Sequence, residues 1–200
     1  MPRALPLLLS TDDLPEAELH AARLDGELFT VDERFASVGE LDQRSIRGQA
    51  LWSVLPSRLI AEQRTAAWVH GARSAPPAVH ELCAASSARY RSVGAARLSI
   101  REVVLTDRET EVVGGMTVTT AFRTAIDLAR AERRRDPSDG AVILSLAAIG
   151  GFTIAELVAH LHGRRHLPGK HDALGRLRDL GAGELGPAEG AADAADVSPR

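Results

Sequence analysis

The sequence is poor in aromatic residues, and this shortage does not prevent it from forming a globular fold. Aromatic residues make up only 4% of the 200 residues, while charged residues make up 26% and aliphatic residues supply most of the apolar fraction. These proportions are typical of a globular chain and exclude a fibrous or disordered protein. The length is sufficient for one or two small domains.

Cysteine and long hydrophobic runs are also scarce. The lone cysteine, Cys83, excludes an intramolecular disulfide, and its place in an apparent strand favours a small buried residue over a nucleophile. The opening MPRALPLLLS is too short and too weakly apolar for a secretory signal. No later stretch approaches the ~18 apolar residues of a membrane span. These absences predict a cytoplasmic protein.

Several catalytic and metal-binding motifs are missing. VVGGMT lacks the third glycine and the lysine of nucleotide-binding loops, and no serine hydrolase or metalloprotease signature occurs. Zinc is a hypothesis for the C-terminal histidines, but no cysteine or carboxylate pair accompanies them, which favours a basic helix end. The sequence therefore predicts no enzymatic activity, no cofactor and no metal. The histidines concerned are His160, His162, His166 and His171.

Charge is unevenly distributed, although the formal net charge is only -3. An arginine-rich stretch, residues 44–135, lies between two acidic ends. Within it, SSARYRSVGAARLSIR surrounds Tyr90 with four arginines, a pattern that can hold phosphates or stack a base. A strand edge protected by charge explains the same residues. The candidate DNA contacts here are Arg89, Arg91, Arg97 and Arg101.

Residues 10–39 predict a helix followed by a small hairpin, which is the second half of a winged helix. Asp13 can cap the helix, and the runs ELFTV and RFASV flank a turn at Asp32 and Glu33. The helix offers few long polar side chains that could read DNA bases. These candidate DNA contacts are His20 and Arg23.

Residues 40–180 predict a second domain, in which helices pack on a small mixed sheet. Pro56 divides the first part into two predicted helices, and Ser57 can begin the second of them. The runs AVHELCAA, ARLSIREVVL, EVV and MTVTT are then short, rich in β-branched residues and separated by turns. The fold class predicted is therefore α+β, with a winged-helix remnant before this domain.

Three further helices are predicted after the sheet and its following helix. Ser138 and Thr153 stand where they can cap two of them. Residues 181–200 contain almost no large apolar side chain and cannot bury enough surface to offset the entropy of ordering. This tail is expected to be disordered.

The stretch VVGGMTVTTAFRTAIDLARAERRR joins the predicted sheet to a helix. Thr120 can cap this helix, which contributes ~1 kcal/mol. Arg123 and Asp127 are one turn apart, and such a pair is worth a few tenths of a kcal/mol when exposed. An isolated pair supplies no nucleophile and no acid–base partner, which favours a structural joint over an active site. Truncating Phe122, on the apolar face, is expected to cost more stability than truncating Asp127.

The order of these motifs resembles the AbiEi family, the antitoxins of abortive-infection type IV toxin–antitoxin systems. In that family a helix ending in a small-small-aromatic-x-x-Gly run precedes the sheet, and a Thr-x-x-Arg-Thr-x-x-Asp-Leu helix follows a glycine turn. The resemblance covers roughly residues 10–180. The first pattern is filled here by Ala66, Ala67, Trp68, His70 and Gly71, and the second by Thr120, Arg123, Thr124, Asp127 and Leu128.

The resemblance implies a winged helix-turn-helix that binds the operon's own promoter and an α+β domain that counters a nucleotidyltransferase toxin. It implies a structural role for the threonine–arginine–aspartate motif. Only about a dozen residues of this sequence precede the presumed reading helix, so we expect it to lack helices that complete a DNA-reading unit. Any DNA binding by the chain alone is therefore expected to be weak and mostly sequence-tolerant.

Two alternatives to an antitoxin stay open. The chain can be a remnant of a very-short-patch-repair-like endonuclease family protein that lacks the nuclease domain, since some relatives continue into such a domain. It can also be a stand-alone interaction module without a toxin partner. A neighbouring gene for a nucleotidyltransferase would favour the antitoxin.

Overall fold

Two small sheets and seven helices make up the part of the chain that the structure describes. The structure is a computed structural model and describes residues 6–39, 43–85, 97–131 and 136–184. A 3-10 turn at Asp107–Glu109 precedes the seventh strand. In chain order the elements are β1 (Leu8–Leu9), α1 (Glu16–Leu24), β2 (Leu28–Val31), β3 (Arg34–Ser37), α2 (Gln43–Trp52), β4 (Leu59–Ala61), α3 (Gln63–His70), β5 (His80–Ala85), β6 (Leu98–Val103), β7 (Thr110–Val113), β8 (Met116–Thr119), α4 (Ala121–Arg130), α5 (Asp139–Gly150), α6 (Ile154–Gly163) and α7 (Lys170–Glu184).

The N-terminal unit is a three-stranded antiparallel sheet in the order β1-β3-β2, with α1 packed beside it. The predicted helix and hairpin are confirmed, and the hairpin turns at Asp32, whose φ is +54°. The sequence does not predict β1, in which the buried Leu8 and Leu9 pair with Ala36 and Phe35. Two apolar residues carry no periodicity, so only their partner strand defines them as a strand.

Helix α1 begins differently from the sequence prediction. Its N-cap is Pro15, and no side chain caps its first turn. Asp13 instead accepts hydrogen bonds from the backbone N–H and the hydroxyl of Ser10. Leu19 is fully buried and packs with Leu9. The helix is therefore held by its apolar face rather than by the predicted cap.

The second sheet is mixed and has the strand order β6-β5-β4-β8-β7. Its central strand, β4, is antiparallel to β5 and parallel to β8. The prediction that a helix begins at Ser57 is wrong, because Leu59–Ala61 is a strand and α3 begins only at Gln63. A strand of three residues is too short to show a hydrophobic alternation, and β4 is stabilised by the strands on both of its sides. Cys83 is buried in β5, as predicted.

The double glycine at the β7–β8 turn lets α2 touch the sheet through its backbone. Gly114 and Gly115 have φ values of +55° and +88°, a conformation that favours glycine. A Cβ atom on Gly114 would lie 2.0 Å from the carbonyl oxygen of Ser45, and one on Gly48 would lie 2.0 Å from that of Val113. This contact requires glycine on both sides.

Helices α4 to α7 enclose a second apolar core. Thr153 caps α6 in a capping box with Glu156, as predicted. Ser138 does not cap α5 with its side chain, because its hydroxyl donates to Asp136. The buried side chains of this core include Leu128, Ile143, Leu146, Leu157 and Leu177.

The fold class is α+β, as predicted from the sequence. Helix α7 continues to Glu184, so residues 181–184 are helical although the sequence places them in the tail. Residues 185–200 lie outside the described residues. Within the described ranges, no single helix is long and apolar enough to cross a membrane, and α5 and α6 reach that length only as a pair bent by 97°.

Candidate functional site

The threonine residues of the family-like motif connect β8 to α4. The backbone N–H of Arg123 donates to Thr120 Oγ1 over 3.3 Å, so Thr120 caps the helix as predicted. The hydroxyls of Thr119 and Thr124 are 2.8 Å apart, and Thr124 also donates to the Thr119 carbonyl oxygen over 3.1 Å. Because Thr119 and Thr124 are fully buried, these bonds fix the angle at which the helix leaves the sheet.

Asp127, the acidic residue of the motif, is surrounded by three arginines. Its side chain is 1% exposed, and Arg123 Nε donates to its Oδ2 over 2.9 Å. Arg130 Nη1 lies 3.5 Å from Oδ1, and Arg101 Nη2 reaches Oδ2 from β6 at 3.5 Å. The sequence treats the Arg123–Asp127 pair as a surface interaction, whereas the structure buries its carboxylate.

Arg101 links Asp127 to a second buried carboxylate, Glu62. It donates through Nε to one oxygen of Glu62 and through Nη2 to the other, the second bond measuring 2.7 Å. Burial raises the pKa of Glu62, and the hydrogen bonds from Arg101 partly oppose that rise. Glu109 accepts from Arg123 Nη1 over 2.7 Å. We name the group of Glu62, Arg101, Glu109, Arg123, Asp127 and Arg130 the Asp127 cluster.

The Asp127 cluster holds charge but presents no group prepared for catalysis. Its three carboxylates are each bonded to at least one guanidinium, so none is poised as a general base. Burial raises the pKa of the neighbouring Cys83 thiol, which stays protonated and is a poor nucleophile. Among the residues that the structure describes, no three histidine, cysteine or carboxylate side chains are grouped to hold a metal ion. This arrangement suits a structural joint.

A second buried ion network ties α3 to β5 and α5. Arg64 Nη1 donates to Glu81 over 2.9 Å, and its Nε and Nη2 donate to the two oxygens of Asp139 over 3.1 and 2.7 Å. Burial alone would lower the pKa of Arg64, but the Asp139 hydrogen bonds and the Glu81 charge outweigh it, so the pKa is raised. The network anchors the helical core to the sheet.

A buried histidine, His70, connects the end of α3 to β8. Its Nε2 lies 2.7 Å from the Thr119 carbonyl oxygen, and its Nδ1 lies 3.1 Å from Arg44 Nη2. An arginine only donates, so Nδ1 accepts and the proton is on Nε2. Burial lowers the pKa of His70, which keeps the ring neutral. Arg44 is bonded in turn to Glu111 on β7, over 2.9 Å.

The β2–β3 turn is held against the second sheet by a charged contact, which we name the hairpin latch. Asp32 lies 3.2 Å from His80 Nε2 and accepts from Arg97 Nη2 over 3.1 Å. Glu33 accepts from the same guanidinium. The side chain of Asp32 is only 6% exposed. The tip of this wing-like hairpin is therefore occupied by contacts within the chain.

Two of the predicted DNA contacts, Arg97 and Arg101, are already paired with carboxylates. Arg97 belongs to the hairpin latch and Arg101 to the Asp127 cluster, and their side chains are 45% and 44% exposed. Each therefore keeps part of its surface available while its charge is largely compensated. Arg89 and Arg91 lie outside the described residues.

The other predicted DNA contacts lie on α1. The ring of His20 packs edge-on against Phe35 with centroids 5.4 Å apart, and its Nε2 lies 3.7 Å from Glu16. Arg23, near the end of the helix, is exposed. Base reading by these two residues stays a prediction.

The four C-terminal histidines have separate surroundings. His160 packs edge-on against Phe122 at 5.3 Å, and burial lowers its pKa. His162 Nε2 lies 3.2 Å from Arg178 Nη2. His166 and His171 are exposed in the α6–α7 connection and the first turn of α7.

Sequence reasoning misses the partners of Arg64 and His70. Every residue of α3 from Arg64 to His70 is buried. The available signal was the presence of charged or titratable residues within the small and apolar run RTAAWVH. Such residues need polar partners when buried. The sequence does not reveal that Glu81 and Asp139 supply them for Arg64, or that Arg44 and the Thr119 carbonyl oxygen supply them for His70.

Comparison with known proteins identifies a family for the central part of the chain. The model described as the AbiEi antitoxin C-terminal domain matches residues 59–167, from β4 through the end of α6. No curated protein matches the chain. A solved structure, described as the crystal structure of RV2827C protein from Mycobacterium tuberculosis, is 15% identical to this chain. The alignment covers 88% of this chain and 76% of the other chain, and the TM-score of 0.44 supports no conclusion. On the family match, the chain belongs to the AbiEi antitoxin C-terminal domain family.

Proposed function

We propose that this chain is a non-enzymatic antitoxin that counters a nucleotidyltransferase toxin. The observation that carries this proposal is the family match over residues 59–167, which include the whole second sheet and helices α3 to α6. The class of toxin comes from the resemblance of the motifs to AbiEi antitoxins. A toxin of this class is therefore the partner that we propose.

The charged residues of the family-like motif support a non-catalytic role. In the Asp127 cluster the carboxylates are bonded to guanidinium groups, and Arg64 is similarly engaged by Glu81 and Asp139. A catalytic acid or base has to reach a substrate and exchange a proton with it. Groups that are buried and paired in this way stabilise the fold instead.

We also propose that DNA binding by the chain alone is weak and mostly sequence-tolerant. Residues 6–39 carry eight carboxylates and only two arginines, so the winged-helix-like unit has a formal charge of -6 and repels phosphates. The turn of its hairpin is engaged in the hairpin latch. Promoter selectivity would therefore require a dimer or a further partner. A reducing cytoplasm is the proposed compartment, which suits the buried free thiol of Cys83.

Co-expression with a toxin tests the antitoxin proposal. A candidate nucleotidyltransferase toxin is induced in cells that carry either the chain or an unrelated protein of similar size on a second plasmid. We expect growth arrest in the control and continued growth with the chain. Persistent arrest at full expression of folded chain would rule out the antitoxin role.

A further inference from the structure

A dense excess of positive charge lies where α6 meets α7. Residues 160–178 contain five lysine or arginine residues, four histidines and a single carboxylate, so their formal charge is +4 with neutral histidines, in a chain of net charge -3. We name the basic residues and histidines of this region that reach the surface the basic corner. They are the exposed His162, Arg164, Arg165, His166, His171 and Arg178 and the partly buried Lys170, and the same region includes the exposed carboxylate Asp172.

The cations of the basic corner are poorly compensated. Among the described residues, no carboxylate forms a salt bridge with Arg165, Lys170 or Arg178, and Arg164 reaches Glu109 only at 3.8 Å. By contrast, Arg97 and Arg101 are each bonded to two carboxylates. Among the described residues, Arg165 and Arg178 therefore lack a carboxylate partner, whereas Arg97 and Arg101 have such partners.

Hydrogen bonds hold this corner in one shape. Lys170 Nζ donates to the carbonyl oxygens of His162 and Arg164 over 3.1 and 2.7 Å, which closes the end of α6. Arg178 contacts the His162 ring from the third turn of α7. A depression of about 640 Å³ lies beside these groups, and its lining includes His166, Lys170, His171 and the carboxylate Asp172. Of the lysines and arginines of the basic corner, Lys170 lines this depression and the others lie outside it.

We infer that the basic corner binds the phosphate backbone of nucleic acid without reading its sequence. This inference rests on the DNA-binding part of the proposed function and names the surface that carries it. Backbone binding requires uncompensated cations, which release counterions from the phosphates. The N-terminal unit has only two arginines against eight carboxylates, so it supplies few of them.

An acidic protein surface fits the basic corner less well. Specific protein interfaces are centred on apolar or aromatic anchors, which supply most of their binding energy. The large exposed hydrophobic residues of the described chain all lie outside residues 160–178. A surface of cations and backbone without such an anchor suits a polyanion.

Charge reversal at the corner tests this inference on the full chain. Binding of a short labelled DNA duplex of scrambled sequence is measured by fluorescence anisotropy over a salt titration, for the wild type, Arg165→Glu and Arg178→Glu. Arg108→Glu, at an exposed arginine in the 3-10 turn, is the matched control. Each corner variant should weaken binding about tenfold and reduce the slope of log affinity against log salt by about 1, as loss of a phosphate contact does. Arg108→Glu should change the slope much less.

The outcomes separate this inference from the broader proposal. Equal losses in the corner variants and in Arg108→Glu would show a general charge effect and overturn the basic corner as a site. Absence of binding by the wild type at low salt would overturn both this inference and the DNA-binding proposal. Unchanged DNA binding with loss of toxin neutralisation would overturn the inference and assign the corner to a protein partner. Melting curves establish that each variant is folded.

Discussion

Asp127 lies 2.9 Å from the Nε atom of Arg123 with its side chain almost completely buried, so the charged pair of the family-like motif belongs to the interior of the protein. An exposed pair of this spacing contributes a few tenths of a kcal/mol, but removing one member of a buried pair leaves an uncompensated charge. Burial changes both the energetic role of the motif and the predictions that follow from it.

Replacing Asp127 should destabilise the protein more than the loss of an exposed ion pair with the same spacing would. Asp127→Ala leaves Arg123 and Arg130 without their shared carboxylate, and we expect a loss of about 3 kcal/mol in the free energy of unfolding. Phe122→Ala should cost about 2 kcal/mol, because Phe122 is only partly buried against Phe152. The sequence alone ranks these two changes in the opposite order.

Urea unfolding of the two variants measures that ranking. Asp172→Ala, at an exposed residue of α7, is the control and should change the free energy by less than about 0.5 kcal/mol. A loss for Asp127→Ala that is no larger than the control's would show that the buried pair contributes nothing to stability.

The close contact between α2 and the β7–β8 turn predicts strong intolerance of a methyl group at Gly48. The added Cβ would lie 2.0 Å from the Val113 carbonyl oxygen, so the helix has to move away from the sheet. We expect Gly48→Ala to cost at least about 3 kcal/mol, as severe overpacking of a core does. Thermal melting checks this prediction.

Gly163→Ala is the matched control for this change. Nothing lies within 4 Å of a Cβ atom built at Gly163, which ends α6. Alanine there should leave stability unchanged or raise it by up to about 1 kcal/mol. Equal melting temperatures for the two variants would argue against the backbone contact.

The neutral His70 ring predicts a loss of stability on mild acidification. Burial holds the pKa of His70 below its ordinary value of 6.5 in the folded chain. As the pH falls below that value, the unfolded chain takes up a proton that the folded chain does not, so the free energy of unfolding decreases until the folded pKa is passed. The stabilisation that depends on a neutral His70 is fully present above the pKa that this residue has in the unfolded chain.

Unfolding measured from about pH 7.5 to about pH 5.5 tests the role of His70. His70→Gln keeps an amide donor for the Thr119 carbonyl oxygen but does not titrate, so its stability should depend less on pH than that of the wild type. His171→Gln, at a fully exposed ring, should follow the wild type. Parallel pH profiles for the wild type and His70→Gln would assign the acid sensitivity to other groups.

The sequence could predict the elements that show a hydrophobic period or are bounded by turn or capping residues. The α+β class, the β2–β3 and β7–β8 hairpins and the caps at Thr120 and Thr153 follow from such local signals. It could not predict β1 or β4, which are too short for a period and exist because neighbouring strands bond to them. It also could not show that Glu62 and Arg101 meet Asp127, since these contacts depend on the register of distant strands.

Purified chain should show no catalysis of its own. We expect neither DNA cleavage nor transfer of labelled nucleotides to RNA or protein, with either magnesium or manganese, because the described carboxylates of the Asp127 cluster are paired with arginines. Activity that depends on a divalent metal and disappears in Glu62→Gln or Asp127→Asn, both folded, would refute the non-enzymatic assignment.

We expect the Asp127 cluster to stabilise the fold of the proposed antitoxin and to take no part in countering the toxin. The most direct test is the survival of toxin-expressing cells that carry Asp127→Asn, at a temperature where circular dichroism of the purified variant shows that it is folded. Asparagine has nearly the same shape as aspartate, but it removes the charge and replaces one acceptor oxygen with an NH2 donor. We predict survival equal to that with the wild-type chain under these conditions. A fully folded Asp127→Asn chain that fails to restore growth would instead identify the cluster as a functional site.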